Sequence, residues 1–120
     1  MALNIQRTIR EIKREIIEEE DRIKGKVSTA LEEVKKLKED FIKIDPDIEM
    51  MILYGSLAEE RIRSIHFDID IAVKSNKYFQ LVGRALQSRF KIDLVDLEVV
   101  DERIKKSIFK YGRFVYEKSS

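Results

Sequence analysis

At 120 residues the chain is long enough for one packed core, and the absence of cysteine excludes a disulfide framework and cysteine-ligated zinc. A net charge of +1 implies no bulk attraction to nucleic acid, and no apolar run reaches membrane-spanning length. Charged residues make up 39%, both signs interleaved, with few Asn and Gln; this composition resembles a thermophile's protein, and with no signal peptide a cytoplasmic location is expected.

Ile5, Ile9, Ile12, Ile16, Ile23, Val27, Leu31, Val34, Leu37, Phe41 and Ile44 recur at spacings of three and four, with one gap. That is a helical stripe. The cluster Glu18-Glu19-Glu20-Asp21 and Gly25 interrupt it. One long bent helix or two helices would fit; two are preferred, breaking near Gly25, with Ser28 or Thr29 as N-cap. Pro46 ends the region, so residues 1–45 read as a helical extension and 46–120 as the main folding unit, within one compact body. The stripe is longer than a small sheet can cover, which suggests an oligomeric or partner interface through these helices.

From Asp47 the pattern alternates. Strands are predicted at 49–54, 67–74, 92–99 and 113–117, and helices at 57–63, 77–89 and 102–111. Ser75 or Asn76 could cap the second helix and Asp101 the third, with Gly112 at the C′ position. The fold class is therefore α/β (α+β), with a small mixed sheet of about four strands flanked by helices.

The chemistry concentrates between Tyr54 and Val73. Gly55-Ser56 closes the apolar run Met50 to Tyr54. A strand ending there, followed by a helix, presents free N–H groups and a hydroxyl to phosphate. Asp68 and Asp70 sit two apart in a second apolar run, so they share one strand face while Phe67, Ile69, Ile71 and Val73 face the core. Two neighbouring carboxylates repel unless a proton or a cation lies between them. Hard oxygen ligands suit magnesium. His66 shares their face by alternation but reads as a loop-edge residue. Lys74, Lys77 and Arg84 read as solvated charges, and Tyr111, Phe114 and Tyr116 as core.

The joint pattern, GS followed by a short spacer and then D-x-D, resembles the DNA polymerase β-type nucleotidyltransferase superfamily, and most closely its minimal members from bacteria and archaea. The resemblance covers about Asp47 to Lys118. It implies a third metal ligand on the strand in Lys91-Ile92-Asp93-Leu94-Val95-Asp96. Asp93, the first of the two, is preferred over Asp96, which should face the other side of a regular strand. The resemblance further implies two magnesium ions held by Asp68, Asp70 and Asp93. Gly55, Ser56 and Arg61 would hold the triphosphate of ATP or another nucleoside triphosphate. A nucleoside monophosphate would pass to a hydroxyl acceptor, such as a tyrosine on a HEPN-type toxin partner, with this chain as the antitoxin.

The sequence also departs from the family pattern. Eleven residues separate Ser56 from Asp68, one more than is common. Where relatives read GSxARG, this chain has Leu57-Ala58-Glu59-Glu60-Arg61, with no Gly, and Arg61 or Arg63 would replace the cation from a shifted position. Weak nucleotide affinity is expected. The alternatives are a non-enzymatic module that neutralises a partner by binding, or a helix-mediated oligomerisation protein.

Overall fold

A computed structural model describes residues 5–119, with side chains from Thr8 onward; Ile5 of the predicted stripe lies outside the described side chains. Eight elements follow in order: α1 (Ile5–Ile44), β1 (Met50–Tyr54), α2 (Gly55–Ala58), β2 (Ile69–Lys74), α3 (Tyr78–Ala85), β3 (Ile92–Asp96), α4 (Glu102–Tyr111) and β4 (Arg113–Glu117). The strands form one sheet in the order β3-β2-β1-β4. β1 is antiparallel to both β2 and β4, whereas β2 and β3 are parallel, joined by α3. The expected mixed α+β architecture is present.

The preferred break at Gly25 is absent: α1 is one helix of 40 residues. The hydroxyl of Thr29 donates to the carbonyl of Gly25 at 3.0 Å. It is therefore spent inside the helix, one turn back, and does not cap a new one. Gly25 has open space around it and costs only its propensity.

The stripe meets two environments. Ala30, Val34, Leu37 and Phe41 are buried against Met51, Leu53, Ile69, Ile71 and Val73 on one face of the sheet, with Leu81 and Ala85 of α3 beside them. Burying Leu37 and Phe41 fully contributes about 1.5–3 kcal/mol each. Ile9, Ile12 and Ile16 remain about half exposed (46%, 49% and 52%). The other sheet face carries Ile52 and Ala72, covered by Leu97 and by Ile108 of α4.

Polar contacts fasten α1. Arg84, read from sequence as solvated, is largely enclosed and donates to Asp40 at 2.7 Å, with Glu33 at 3.8 Å. The buried Asp45 accepts from Ser75 Oγ at 2.5 Å and from the backbone N–H of Asp47 at 3.0 Å, joining the end of α1 to the end of β2. Lys77 Nζ donates to the carbonyl of Ile44 at 3.3 Å, and Lys74 pairs with Glu49 at 3.2 Å. Ser75 also accepts from the backbone N–H of Lys77 at 3.0 Å just ahead of α3.

Asp101 caps α4 as expected, accepting from the N–H of Ile104 at 2.9 Å. Gly112 follows α4 in an extended conformation, not the left-handed one expected. Space explains the glycine: a Cβ there would lie 2.5 Å from the carbonyl oxygen of Ile108 and 2.6 Å from Ile52. Tyr111 and Phe114 are exposed, against expectation, because they flank the turn from α4 into the edge strand β4, where Phe114 meets Phe109; Tyr116 packs on the core.

Candidate active site

β1 ends and β2 and β3 begin at the same end of the sheet. In register, Tyr54 lies opposite Asp70, and Asp70 lies beside Asp93. Strand alternation then assigns faces. Ile69, Ile71 and Val73 point to the α1 side, so Asp70 and Ala72 point to the α4 side. On β3, Leu94 packs on the α1 side and Val95 on the α4 side. Asp93 therefore shares a face with Asp70, and Asp96 lies on the opposite one. Asp96 has local work: it accepts from the N–H of Glu98 at 2.9 Å, closing the turn after β3. Asp68 lies just ahead of β2, not within it, and pairs loosely with the exposed Lys91 at 3.6 Å.

Asp70 feels its surroundings and the two neighbouring aspartates. Burial, and then the charges of Asp93 and Asp68, push the Asp70 carboxyl up to about 6. Burial likewise raises the Tyr54 hydroxyl to about 12, with Asp93 and Asp70 adding to it. Tyr54 was not singled out from sequence. The signal was its place: it immediately precedes Gly55 and shares the even-numbered face of β1 with Met50 and Ile52.

The Gly55-Ser56 corner is built around Asp70. Gly55 has φ +76°, and a Cβ there would sit 2.3 Å from Asp70 Oδ2. Only glycine lets the turn approach that carboxylate. The helix predicted at 57–63 is a single turn, Gly55–Ala58, beginning at the corner itself. It stops because Glu60 takes φ +57° and the N–H of Arg61 bonds back to the Ser56 carbonyl at 2.9 Å. That is a Schellman-type stop, in which the left-handed residue is normally Gly. The glycine missing from GSxARG thus falls at a position that wants one.

Both glutamates after the corner are paired. Glu59 accepts from Arg61 at 3.2 Å, and Glu60 from Arg113 at 2.9 Å. Arg61, the expected phosphate cation, is therefore held by a neighbouring carboxylate. The loop that returns to Asp68 is anchored on α1, where Lys26 Nζ donates to the Ile65 carbonyl at 2.5 Å and lies over the rings of Phe67 and Phe90. His66 is exposed, its backbone N–H donating to Ser64 Oγ at 2.9 Å.

Among the described residues, no three acidic or histidine side chains are already drawn into a cation cage. The donor chemistry nonetheless fits a hard divalent ion: three carboxylates at neighbouring strand starts, one with its proton affinity raised by burial and then by the other two. A cation there would relieve the repulsion.

A mixed sheet whose Gly-Ser turn is moulded to a strand aspartate, with a second aspartate in register on the next parallel strand, has the architecture of a nucleotidyltransferase-type domain. The sequence profile described as "Polymerase beta, Nucleotidyltransferase" matches residues 35–120, and the chain belongs to that family. Solved structures share the fold. A toxin–antitoxin crystallised with AMP-PNP matches with TM-score 0.58 at 20% identity, over 70% of this chain and 73% of the other. A putative nucleotidyltransferase from Sulfolobus solfataricus matches with TM-score 0.59 at 17% identity, over 81% and 88%. A variant of the MntA toxin–antitoxin complex matches with TM-score 0.51 at 23% identity, over 72% and 71%. No curated protein matches the sequence. No helix among the described residues is long and apolar enough to cross a membrane.

Proposed function

We propose that the chain is a metal-dependent nucleotidyltransferase that moves AMP from ATP to a hydroxyl, with a tyrosine of a HEPN-type toxin as the acceptor and this chain as the cytoplasmic antitoxin. The observation that carries this reading is the moulding of the Gly55 turn to Asp70, with Asp68 and Asp93 charging the same spot. The relative crystallised as a toxin–antitoxin with AMP-PNP supports a nucleotide substrate and a protein partner.

The roles follow from position. Asp68, Asp70 and Asp93 form the acidic pocket; two magnesium ions bound there would supply charge neutralisation for the triphosphate and activation of the acceptor hydroxyl. Gly55 N–H and Ser56 Oγ hold the β- and γ-phosphates, so pyrophosphate leaves from a fixed position. Tyr54 flanks Asp70 across β1 and β2. Arg61 reaches phosphate only by leaving Glu59. The projecting half of α1 serves assembly.

The test is transfer of α-labelled AMP to a co-purified helical partner in the presence of Mg²⁺, with Asp70→Asn as control. Label on the partner that disappears in Asp70→Asn is the expected result. The pairing of Arg61 with Glu59 favours a second reading, a module that neutralises its partner by binding alone. No label transfer, together with no ATP binding at millimolar concentration, selects that reading.

A further inference from the structure

The N-terminal half of α1 projects beyond the sheet. The helix is about 60 Å long, and the molecule's longest extent is 70 Å against 29 and 22 Å for the others. The apolar face of this projection continues the face that buries Ala30, Leu37 and Phe41. Ile9, Ile16 and Ile23 fall on one heptad position, and Ile12, Glu19 and Lys26 on the other core position. The free stripe ends at Lys26, which closes against the loop at Ile65.

We propose that this stripe is covered by the same stripe of a second copy, running antiparallel. Charge decides the direction. In a parallel, in-register pair, Glu19 faces Glu19 of the copy, Lys26 faces Lys26, and Glu15 flanks Glu20: every charged layer repels. Antiparallel, with Ile12 opposite Ile23 and Ile16 opposite Glu19, the two Lys26 move to opposite ends of the overlap and each Glu19 faces an isoleucine, one layer from its counterpart. Lys13 then flanks Glu20 of the copy on one side and Glu15 flanks Arg22 on the other, each pair occurring twice by symmetry. Lys13, Glu15 and Glu20 have no ion-pair partner among the described residues, and Arg22 holds only an exposed pair with Glu19 at 2.6 Å. Length agrees with charge. In this register residues 9–26 overlap their own counterparts over about 27 Å. The overlap begins and ends where each copy's own domain takes over the stripe. Each acidic site remains on the far side of its own sheet, so the pairing is independent of the proposed transfer reaction.

The absence of cysteine makes the test clean. Ile12→Cys and Ile23→Cys full-length chains are oxidised separately and as a mixture. Cross-linking in the mixture, with little in either variant alone, is the expected result. Self-cross-linking of Ile12→Cys alone means parallel helices and overturns the proposal. Alongside, sedimentation of the parent chain should give a dimer that Ile12→Lys converts to monomer with unchanged circular dichroism. A parent chain that stays monomeric overturns the proposal. Lys13→Glu should weaken the dimer roughly tenfold at low salt, and adding Glu20→Lys should restore it. No restoration refutes the register.

Discussion

The packed half of α1 and the aspartate corner are built on opposite terms. From Ala30 to Phe41 the side chains follow helical period and face one sheet surface, with Arg84 satisfied by Asp40 and Glu33 at the rim. Between Tyr54 and Asp70 the chain does what local preference resists. It takes positive φ at Gly55 and Glu60, crowds Asp70 against a turn, and leaves that half-buried carboxylate in the fields of Asp93 and Asp68. Consistent regions make stability; regions that break local rules and persist mark chemistry. The difference teaches which substitutions should destabilise this protein and which should only disarm it.

The largest effect belongs to the packed half. Phe41→Ala should cost about 3–5 kcal/mol, because a fully buried ring leaves a cavity between helix and sheet. Urea melts would measure it, and Mn²⁺ affinity of the folded fraction should not change. A loss of metal affinity without a loss of stability would collapse the distinction between the regions.

Gly55→Ala attacks the corner instead. A Cβ at φ +76° carries left-handed strain and meets Asp70 Oδ2 at 2.3 Å, so the carboxylate must move. The expected cost is about 2 kcal/mol, accompanied by loss of Mn²⁺ binding in calorimetric titration. Retained affinity would show that Asp70 binds nothing in this position.

Asp70→Asn should separate function from stability in the opposite sense. The Asp70 carboxyl is raised from 3.8 to about 6. The folded state therefore holds that proton more tightly than the unfolded chain, and stability rises as pH falls through 6 toward 4. In chelator at pH 7.5 the amide variant should melt above the parent. The gap should narrow as pH drops through this window, while Mn²⁺ binding is abolished. An equal or lower melting temperature at pH 7.5 would mean the aspartates do not repel.

Glu60→Gly is the smallest change. It relieves a left-handed glutamate and should stabilise by about 1 kcal/mol; the exposed bridge to Arg113 offsets little of this. Thermal melts suffice. A destabilised variant would show that Arg113 holds the loop more firmly than an exposed pair should.

Much of this was legible beforehand. The four strands, the Gly-Ser corner and the D-x-D pair could be placed because strand period and turn chemistry are local. The single long helix could not, because Gly25 and an acidic cluster look like a break until Thr29 is seen bonding back along the helix. The helix read at 57–63 shrank to one turn because left-handed φ at a glutamate leaves no trace in periodicity. Arg84 looked solvated because its partners, Asp40 and Glu33, lie more than forty residues away.

Sequence by itself settled the apolar stripe of the N-terminal helix, the alternation of strands and helices from Asp47 onward, and the spacing that puts Asp68 and Asp70 two apart. Tertiary structure alone decided that Asp70 and Asp93 are neighbours, since their register depends on a parallel crossover through α3. It alone decided that Tyr54 completes the corner, and that half of one continuous stripe is core while the other half projects. The physical reason is the same in each case. Periodicity fixes which way a side chain faces along its own element, but what it faces depends on pairing between residues far apart in the chain.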